Sequence, residues 1–315
     1  MNPNPQRITA FAPATSANVA VGFDLLGYPI PVLGDHVSVA HADQPGIQIT
    51  LNNATDLPTD PEKNTAGVAI QSLCNALHIQ PRLRVEIHKG IPLCSGLGGS
   101  AASAAAAVMA TNTLLGCPLS KIALLPHALA GESLQSSQPH ADNVAPALLG
   151  GLQLIRQRNP LTTVALPIPD VFVVLVHPNL SINTAESRRL LPQTIKLADH
   201  IEQSMHLAGF LSALYAQNTQ QLADHLMDCI IEPNRSEQIP GFYAVQAAAM
   251  ANGAMGCSIS GAGPTLFAWA ETAQIATTIA QCMCDAFHRE NIACQHWVST
   301  ICPKGAVITS SKGLP

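Results

Sequence analysis

The chain is short of charge: lysine, arginine, aspartate and glutamate make up 11% of its 315 residues, well under the roughly 25% usual in soluble domains. The net charge is −5 and no basic run is longer than Arg188-Arg189. The electrostatic footprint of a nucleic-acid or anionic-membrane partner is therefore missing. Long apolar runs are missing too. Val171 to Val176 and the alanine-rich Ala101 to Ala110 fall far short of the ~18 apolar residues read as a bilayer span. The nine cysteines are odd in number and scattered, with no C-x-x-C pair, which fits small core residues in a reducing compartment rather than a disulfide framework. The amino terminus has no charged region followed by an apolar one, so no secretory signal is read. These absences predict a soluble, cytoplasmic protein with a small-molecule partner, neither nucleic acid nor membrane.

What is present is a hydrophobic share of 47%, which excludes intrinsic disorder, and a length that suggests about two domains. Helical and strand periods alternate along the chain, so the class is mixed α and β. Strands are predicted at Arg7 to Phe11, Asp35 to Ala42, Ile47 to Leu51 and Arg82 to Lys89. A helix is predicted from about Asn64, with Val68, Ala69, Leu73, Ala76 and Leu77 as its apolar stripe, and an alanine-rich one from Ser100 to Leu115. After Glu132 come a polar loop to Ala141, a short helix with Asp142 as its N-cap, and a strand at Leu152 to Arg156. Residues 156–170 read as a boundary, which divides the chain into 1–160 and 161–315. Beyond it, strands are predicted at Val171 to Val176, Cys257 to Ser260, Pro264 to Trp269 and, last, Ile292 to Ser299. Helices are predicted at Asn183 to Leu191, Gln193 to Gln217, Gln220 to Asp228, from Gly241, and at Thr272 to Glu290.

The sharpest local signal is IPLCSGLGGSAASAAAAV, residues 91–108: a strand leads in, three glycines free the backbone, and a strong helix former leads out. This is the pattern of an anion cradle. No charged residue lies between Lys89 and Lys121, so a phosphate here is expected to rest on backbone N–H groups and the positive end of the helix dipole. A Walker A loop is excluded because no lysine follows the glycines; a dinucleotide site fares little better, since Gly96, Gly98 and Ala101 satisfy its loose glycine pattern but the acid expected about 20 residues on is absent. A tight turn before a buried helix is the remaining alternative. Two further segments share this small, polar, glycine-rich character: APATSANVAVGFDLLGYPI at 12–30, neither a good helix nor a good strand, and CSISGAGPTLFAW at 257–269.

PATSANVAVGFDLLG, PLCSGLGGSAAS and SGAGPT resemble, in this order, the three motifs of the GHMP small-molecule kinases. HADNVAPALLGG at 140–151, NTAESRRLLP at 183–192 and EPNRSEQIPGF at 232–242 narrow the resemblance to the homoserine kinase branch. It implies an α+β, two-domain GHMP-kinase-like fold, the N-terminal domain with a left-handed β-α-β unit and the C-terminal domain ferredoxin-like. It implies transfer of the ATP γ-phosphoryl group to L-homoserine, a step of threonine biosynthesis, and a possible homodimer.

By the same resemblance, ATP is held by Pro92, Leu93, Cys94, Ser95, Gly96, Leu97, Gly98, Gly99, Ser100, Ala101 and Ala102. Mg²⁺ is held by Ser100 and Glu132. The amino-acid pocket is Asn18, Asp24, His140, Arg188 and Arg235, with the two arginines as carboxylate clamps. Asn18, Asp24 and Asn143 stand nearest the chemistry, Asp24 at the hydroxyl end, while Asp142 has a structural or N-cap role. Gly99 departs from the family, which more often has serine there. The cluster Cys282, Cys284, His288, Cys294, His296 and Cys302 lacks metal-ligand spacing and is set aside as a zinc site.

Overall fold

The computed structural model describes residues 7–53, 56–134 and 140–312. The first half contains β1 (Arg7–Ala17), β2 (Leu26–His41), β3 (Gly46–Leu51), α1 (Thr65–Ala76), β4 (Arg82–His88), α2 (Gly99–Leu114), α3 (Leu125–Glu132), α4 (Ala141–Leu149), β5 (Gln153–Arg158) and β6 (Leu161–Ala165). The second contains β7 (Phe172–Pro178), α5 (Thr184–Arg189), α6 (Leu197–Ala216), α7 (Thr219–His225), α8 (Glu232–Arg235), α9 (Phe242–Ala251), β8 (Gly256–Ile259), β9 (Leu266–Ala270), α10 (Ala273–Arg289), β10 (Cys294–Thr300) and β11 (Val307–Lys312).

These strands build two sheets. The first runs β11-β1-β2-β4-β3, with the β5–β6 hairpin attached to β2. Within it β3 and β4 pair in parallel across α1. The second runs β10-β7-β9-β8, with antiparallel pairs throughout. Its β-α-β-β-α-β order, with helices between β7 and β8 and between β9 and β10, is ferredoxin-like.

Local chemistry explains the main elements. Asn64 accepts the Ala66 N–H at 3.0 Å and starts α1, as N-cap asparagines do. Its buried residues are Thr65, Ala66, Gly67, Ala69, Ile70, Leu73 and Cys74, so of the expected stripe Ala69 and Leu73 are buried, Val68 and Leu77 half-buried and Ala76 exposed. Strand β4 alternates as expected, with Leu83, Val85 and Ile87 inward. Helix α2 is buried on nearly every side against β1, β2, α1, α3 and α4, and its alanines let those neighbours approach closely while favouring the helix. The two sheets share one core, in which the Trp269 Nε1–H donates to the Tyr28 hydroxyl at 3.0 Å between two fully buried rings.

Several expectations need correction. Residues 12–17 continue β1 along β2, with a register shift between Pro13 and Ala14; only beyond Ala17 does the first motif leave regular structure, with Asn18, Val19, Ala20 and Asp24 all at positive φ. Residues 156–170, expected as a boundary, hold the β5–β6 turn and strand β6. A cut at residue 160 therefore falls inside a hairpin of the first sheet, and β11, which follows the expected last strand, returns to pair with β1. Both strands are short and lack clear alternation. Helices α3 and α8 were not expected, the first carrying Pro126 and Gly131 and the second only four residues long. Asp142 is not an N-cap: His140 holds that position, and Asp142 lies one residue inside α4. Most of the expected polar loop, residues 135–139, is outside the described residues.

Candidate active site

The three motifs meet around one cavity of about 400 Å³. The glycine loop is clasped from both sides. The Thr15 N–H of the first motif donates to Leu97 O at 3.1 Å, and Ser260 Oγ of the third donates to Gly96 O at 3.0 Å. Gly96 and Gly98 have φ of +77° and +65°, and a Cβ on either would strike this clasp: Ser260 O and Gly263 O at Gly96, Thr15 Oγ1 and Asn143 Oδ1 at Gly98. Gly98 is the N-cap of α2 and supplies no side-chain cap, so the first N–H groups of a 16-residue helix face the cavity end of the loop.

The expectation that the loop lacks any cation is corrected. Lys89 lines the cavity, and its Nζ donates to Gly99 O at 2.7 Å and Ser103 Oγ at 2.9 Å while pairing with buried Asp35. Asp35 also accepts from the Gly90 and Ile91 N–H groups. The lysine charge is thus neutralised, and the pair braces the loop from beneath.

At the far side of the loop, Ser100 Oγ donates to Glu132 Oε1 at 3.0 Å. Glu132 is buried and its Oε2 has no hydrogen-bond partner among the described residues. His140 Nδ1 lies 3.6 Å from Glu132 Oε1. Burial opposes a charged His140, but the hydrogen bond to Glu132 and the charges of Asp142 and Glu132 outweigh it and raise its pKa, against the opposing charge of Arg188.

The remaining wall is a pocket of paired charges. Asp24 is gripped by Arg188 through contacts of 2.7, 2.7 and 3.1 Å and touched by Arg158 at 3.3 Å. Arg235 is buried; its Nη1 donates to Gly261 O at 2.6 Å and its Nε has no partner among the described residues. Burial, then the nearby Arg188 charge, lowers its pKa to about 10, so it remains a cation at neutral pH. Both guanidinium groups lie against the Phe23 ring, at 5.5 and 5.1 Å from its centre. Asp142 is buried with an unpartnered Oδ1 among the described residues. Burial, then the charge of Asp24, pushes its carboxyl up to about 7. Asn18 donates to Gly261 O at 2.9 Å and accepts the Asp24 N–H at 3.1 Å.

The structure therefore gathers Asn18, Asp24, His140, Asn143, Glu132, Arg235 and residues 92–100 around the cavity. Ala101 and Ala102 are buried in the first turn of α2 rather than in the cavity wall, and Arg188 stands behind Asp24. Asn143 accepts from Thr15 Oγ1 at 2.7 Å, beside the glycine loop. Sequence reasoning missed Lys89, Asp35, Phe23 and Thr184; only the isolation of Lys89 at the edge of an uncharged stretch pointed to any of them. Outside the cavity, Cys284 contacts His296 at 3.4 Å and Cys294 contacts His288 at 3.9 Å. Among the described residues no three His, Cys, Asp or Glu side chains gather as a metal centre.

Comparison with known families matches residues 64–151 to the GHMP kinases N terminal domain and residues 210–289 to the GHMP kinases C terminal domain. The chain is 37% identical over 316 residues to the homoserine kinase of Chlorobium phaeobacteroides, covering 96% of this chain and 99% of the relative. It is 42% identical over 307 residues to that of Xylella fastidiosa, covering 96% and 94%. Among solved structures, the homoserine kinase from Cytophaga hutchinsonii superposes with a TM-score of 0.93 at 40% identity, over 96% of this chain and 97% of that one.

Proposed function

The chain belongs to the GHMP kinase family and, within it, to the homoserine kinases: it transfers the ATP γ-phosphoryl group to the side-chain hydroxyl of L-homoserine, and we propose that the cavity between the three motifs is where it does so. One observation supports this most. A backbone cradle, a buried carboxylate with a spare oxygen and a buried arginine with a spare N–H all face one space of about 400 Å³.

The phosphates rest on the N–H groups of the glycine loop and the start of α2. Ser100 and Glu132 fit a magnesium ion: both offer hard oxygen donors, and the second Glu132 oxygen is unpartnered among the described residues. Mg²⁺ commonly takes one or two carboxylates beside substrate phosphates. When bound, the ion neutralises charge on the phosphate oxygens.

L-Homoserine needs a cation for its carboxylate, an anion for its ammonium and a polar contact at its hydroxyl. Arg235 serves the carboxylate, because its planar fork has donors left over after Gly261 O. Asp142, with its free oxygen, serves the ammonium. Arg188 acts at the same pocket by holding Asp24, and Asp24 and Asn143 stand at the hydroxyl end, next to the phosphate cradle. His140 joins the metal carboxylate to the amino-acid wall. In-line positioning and charge neutralisation carry most of a phosphoryl transfer, so these residues need supply no covalent chemistry. The compartment we assign is the cytoplasm, supported by nine free cysteines; no helix among the described residues is long and apolar enough to cross a membrane. The apolar side chains that α6 exposes, Leu197, Ile201 and Met205, support the homodimer.

The test is ADP release measured over a panel of L-homoserine, mevalonate, galactose and serine with Mg²⁺. Turnover is expected with homoserine alone. Equal turnover with mevalonate, or none with any of them, would refute the substrate reading.

A further inference from the structure

Arg235 closes a helix too short to hold its own shape. Four residues, Glu232–Arg235, fall well below the length at which backbone hydrogen bonds sustain a helix. The turn before it is fixed instead by Asp228. Its Oδ1 accepts the Ile230 N–H at 2.9 Å and the Ile231 N–H at 2.8 Å, and its Oδ2 accepts the Glu232 N–H at 3.1 Å. Asp228 is buried, has no ion-pair partner at contact distance among the described residues, and does not line the cavity. The Arg235 charge acts on Asp228 from beyond contact distance, and a buried carboxyl not in direct contact with a cation needs hydrogen bonds to replace its water; here all three serve one turn. A second brace follows: Gln246 Nε2 donates to Glu232 Oε1 at 2.9 Å and Cys257 O at 2.8 Å, tying α8 to β8. With its base fixed this way, the Arg235 side chain makes one hydrogen bond among the described residues, to Gly261 O, before its guanidinium meets the cavity.

We propose that Asp228 is a positioning residue for homoserine binding, which by collecting three N–H groups of the turn into α8 sets the path along which Arg235 enters the pocket. The inference rests on the reading of Arg235 as the carboxylate contact. It differs from a simple stabilising cap in its consequences. A cap lost from a surface helix lowers stability and leaves substrate selection alone. Loss of Asp228 alters how the enzyme chooses between homoserine and an analogue without the carboxylate.

The experiment is steady-state kinetics on Asp228→Ala, Asp228→Asn, Arg235→Ala and the double variant Asp228→Ala/Arg235→Ala, with L-homoserine and with 3-aminopropan-1-ol. In Asp228→Ala the KM for homoserine should rise between about tenfold and a hundredfold, as misplacement of a clamp by about 1 Å does, while the KM for ATP stays at the wild-type value. Preference for homoserine over the aminoalcohol should fall. Asp228→Asn keeps one acceptor oxygen and should recover part of the affinity; it also stands in if the alanine variant does not fold. The double variant should match Arg235→Ala alone, because a residue acting through the arginine has nothing left to act on. If Arg235→Ala raises the homoserine KM and both Asp228 variants leave KM and preference unchanged, or if the two losses multiply in the double variant, the proposal is overturned. If Arg235→Ala itself leaves the homoserine KM unchanged, the carboxylate reading fails first and the proposal with it.

Discussion

Gly98 carries two constraints at one atom, a left-handed φ of +65° and a missing side chain where Thr15 and Asn143 already sit. Gly98→Val should therefore weaken ATP binding about tenfold to a hundredfold, the equivalent of roughly 1–3 kcal/mol of strain. Calorimetric titration with ATP, on a variant whose circular dichroism matches wild type, checks this. Glu132→Gln keeps shape and loses charge. Its kcat should fall at least about tenfold, as removal of one charged contact to a metal–phosphate centre does, and raised magnesium should restore only part of it. Asp142 gives a pH signature. With its carboxyl pushed up to about 7, it is charged above neutrality and protonated below, so kcat/KM for homoserine should fall as pH drops below about 7 and level off above. In Asp142→Asn this acid limb should vanish; its persistence would assign the limb to another group. The glycine spacing is legible from residue order and Glu132 through the family resemblance; the surroundings of Asp142 are not. Asp24 and Arg188 are 164 positions apart, and nothing local in either says that they hold each other.

Elements with strong periodicity or clear caps were readable: α1 from Asn64, β4 from its alternation, α2 from its alanines, α10 from its long apolar stripe. Those that depend on partners far along the chain were not. Strands β6 and β11 take their identity from β5 and β1, and α8 takes its shape from Asp228 and Gln246. The α8 platform also has a stability signature. Burial raises the Glu232 carboxyl to about 7, against hydrogen bonds from Ser258 and Gln246. The folded chain therefore keeps a proton that the unfolded chain has released above about 4.3. By linkage, this group's contribution to stability falls as pH rises between those two values. Glu232→Gln should remove that slope and raise Tm at pH 8 by about 2 °C or more, with little change at pH 4. Thermal melts across this range check both ends, and an unchanged slope would assign the proton elsewhere.

Across the whole molecule the two sheets are joined because one core takes residues from both, while a second core lies between the opposite face of the second sheet and α9 and α10. Tyr28 on β2 and Trp269 on β9 are the polar rivet of that joint. Tyr28→Phe leaves the indole N–H buried without its acceptor and should cost about 1–3 kcal/mol of stability, read from urea denaturation. The site is similarly composite. Gly261 O accepts from both Asn18 and Arg235, so the first motif, the third and α8 converge on a single carbonyl. That convergence is why three individually weak signals, read together, pointed to the cavity, while Lys89 in its wall and Asp228 and Asp35 behind it went unread. The same topology has a consequence during synthesis. Strand β1 lies between β2 and β11, with Arg7 opposite Lys312, so it leaves the ribosome long before its second neighbour does. Until then one edge of the first sheet is open, with unpaired N–H and C=O groups that another chain can use. A nascent polypeptide stalled short of Val307 therefore carries every strand of its second sheet beside an unfinished first one, and that edge is what a chaperone or a neighbouring copy would meet.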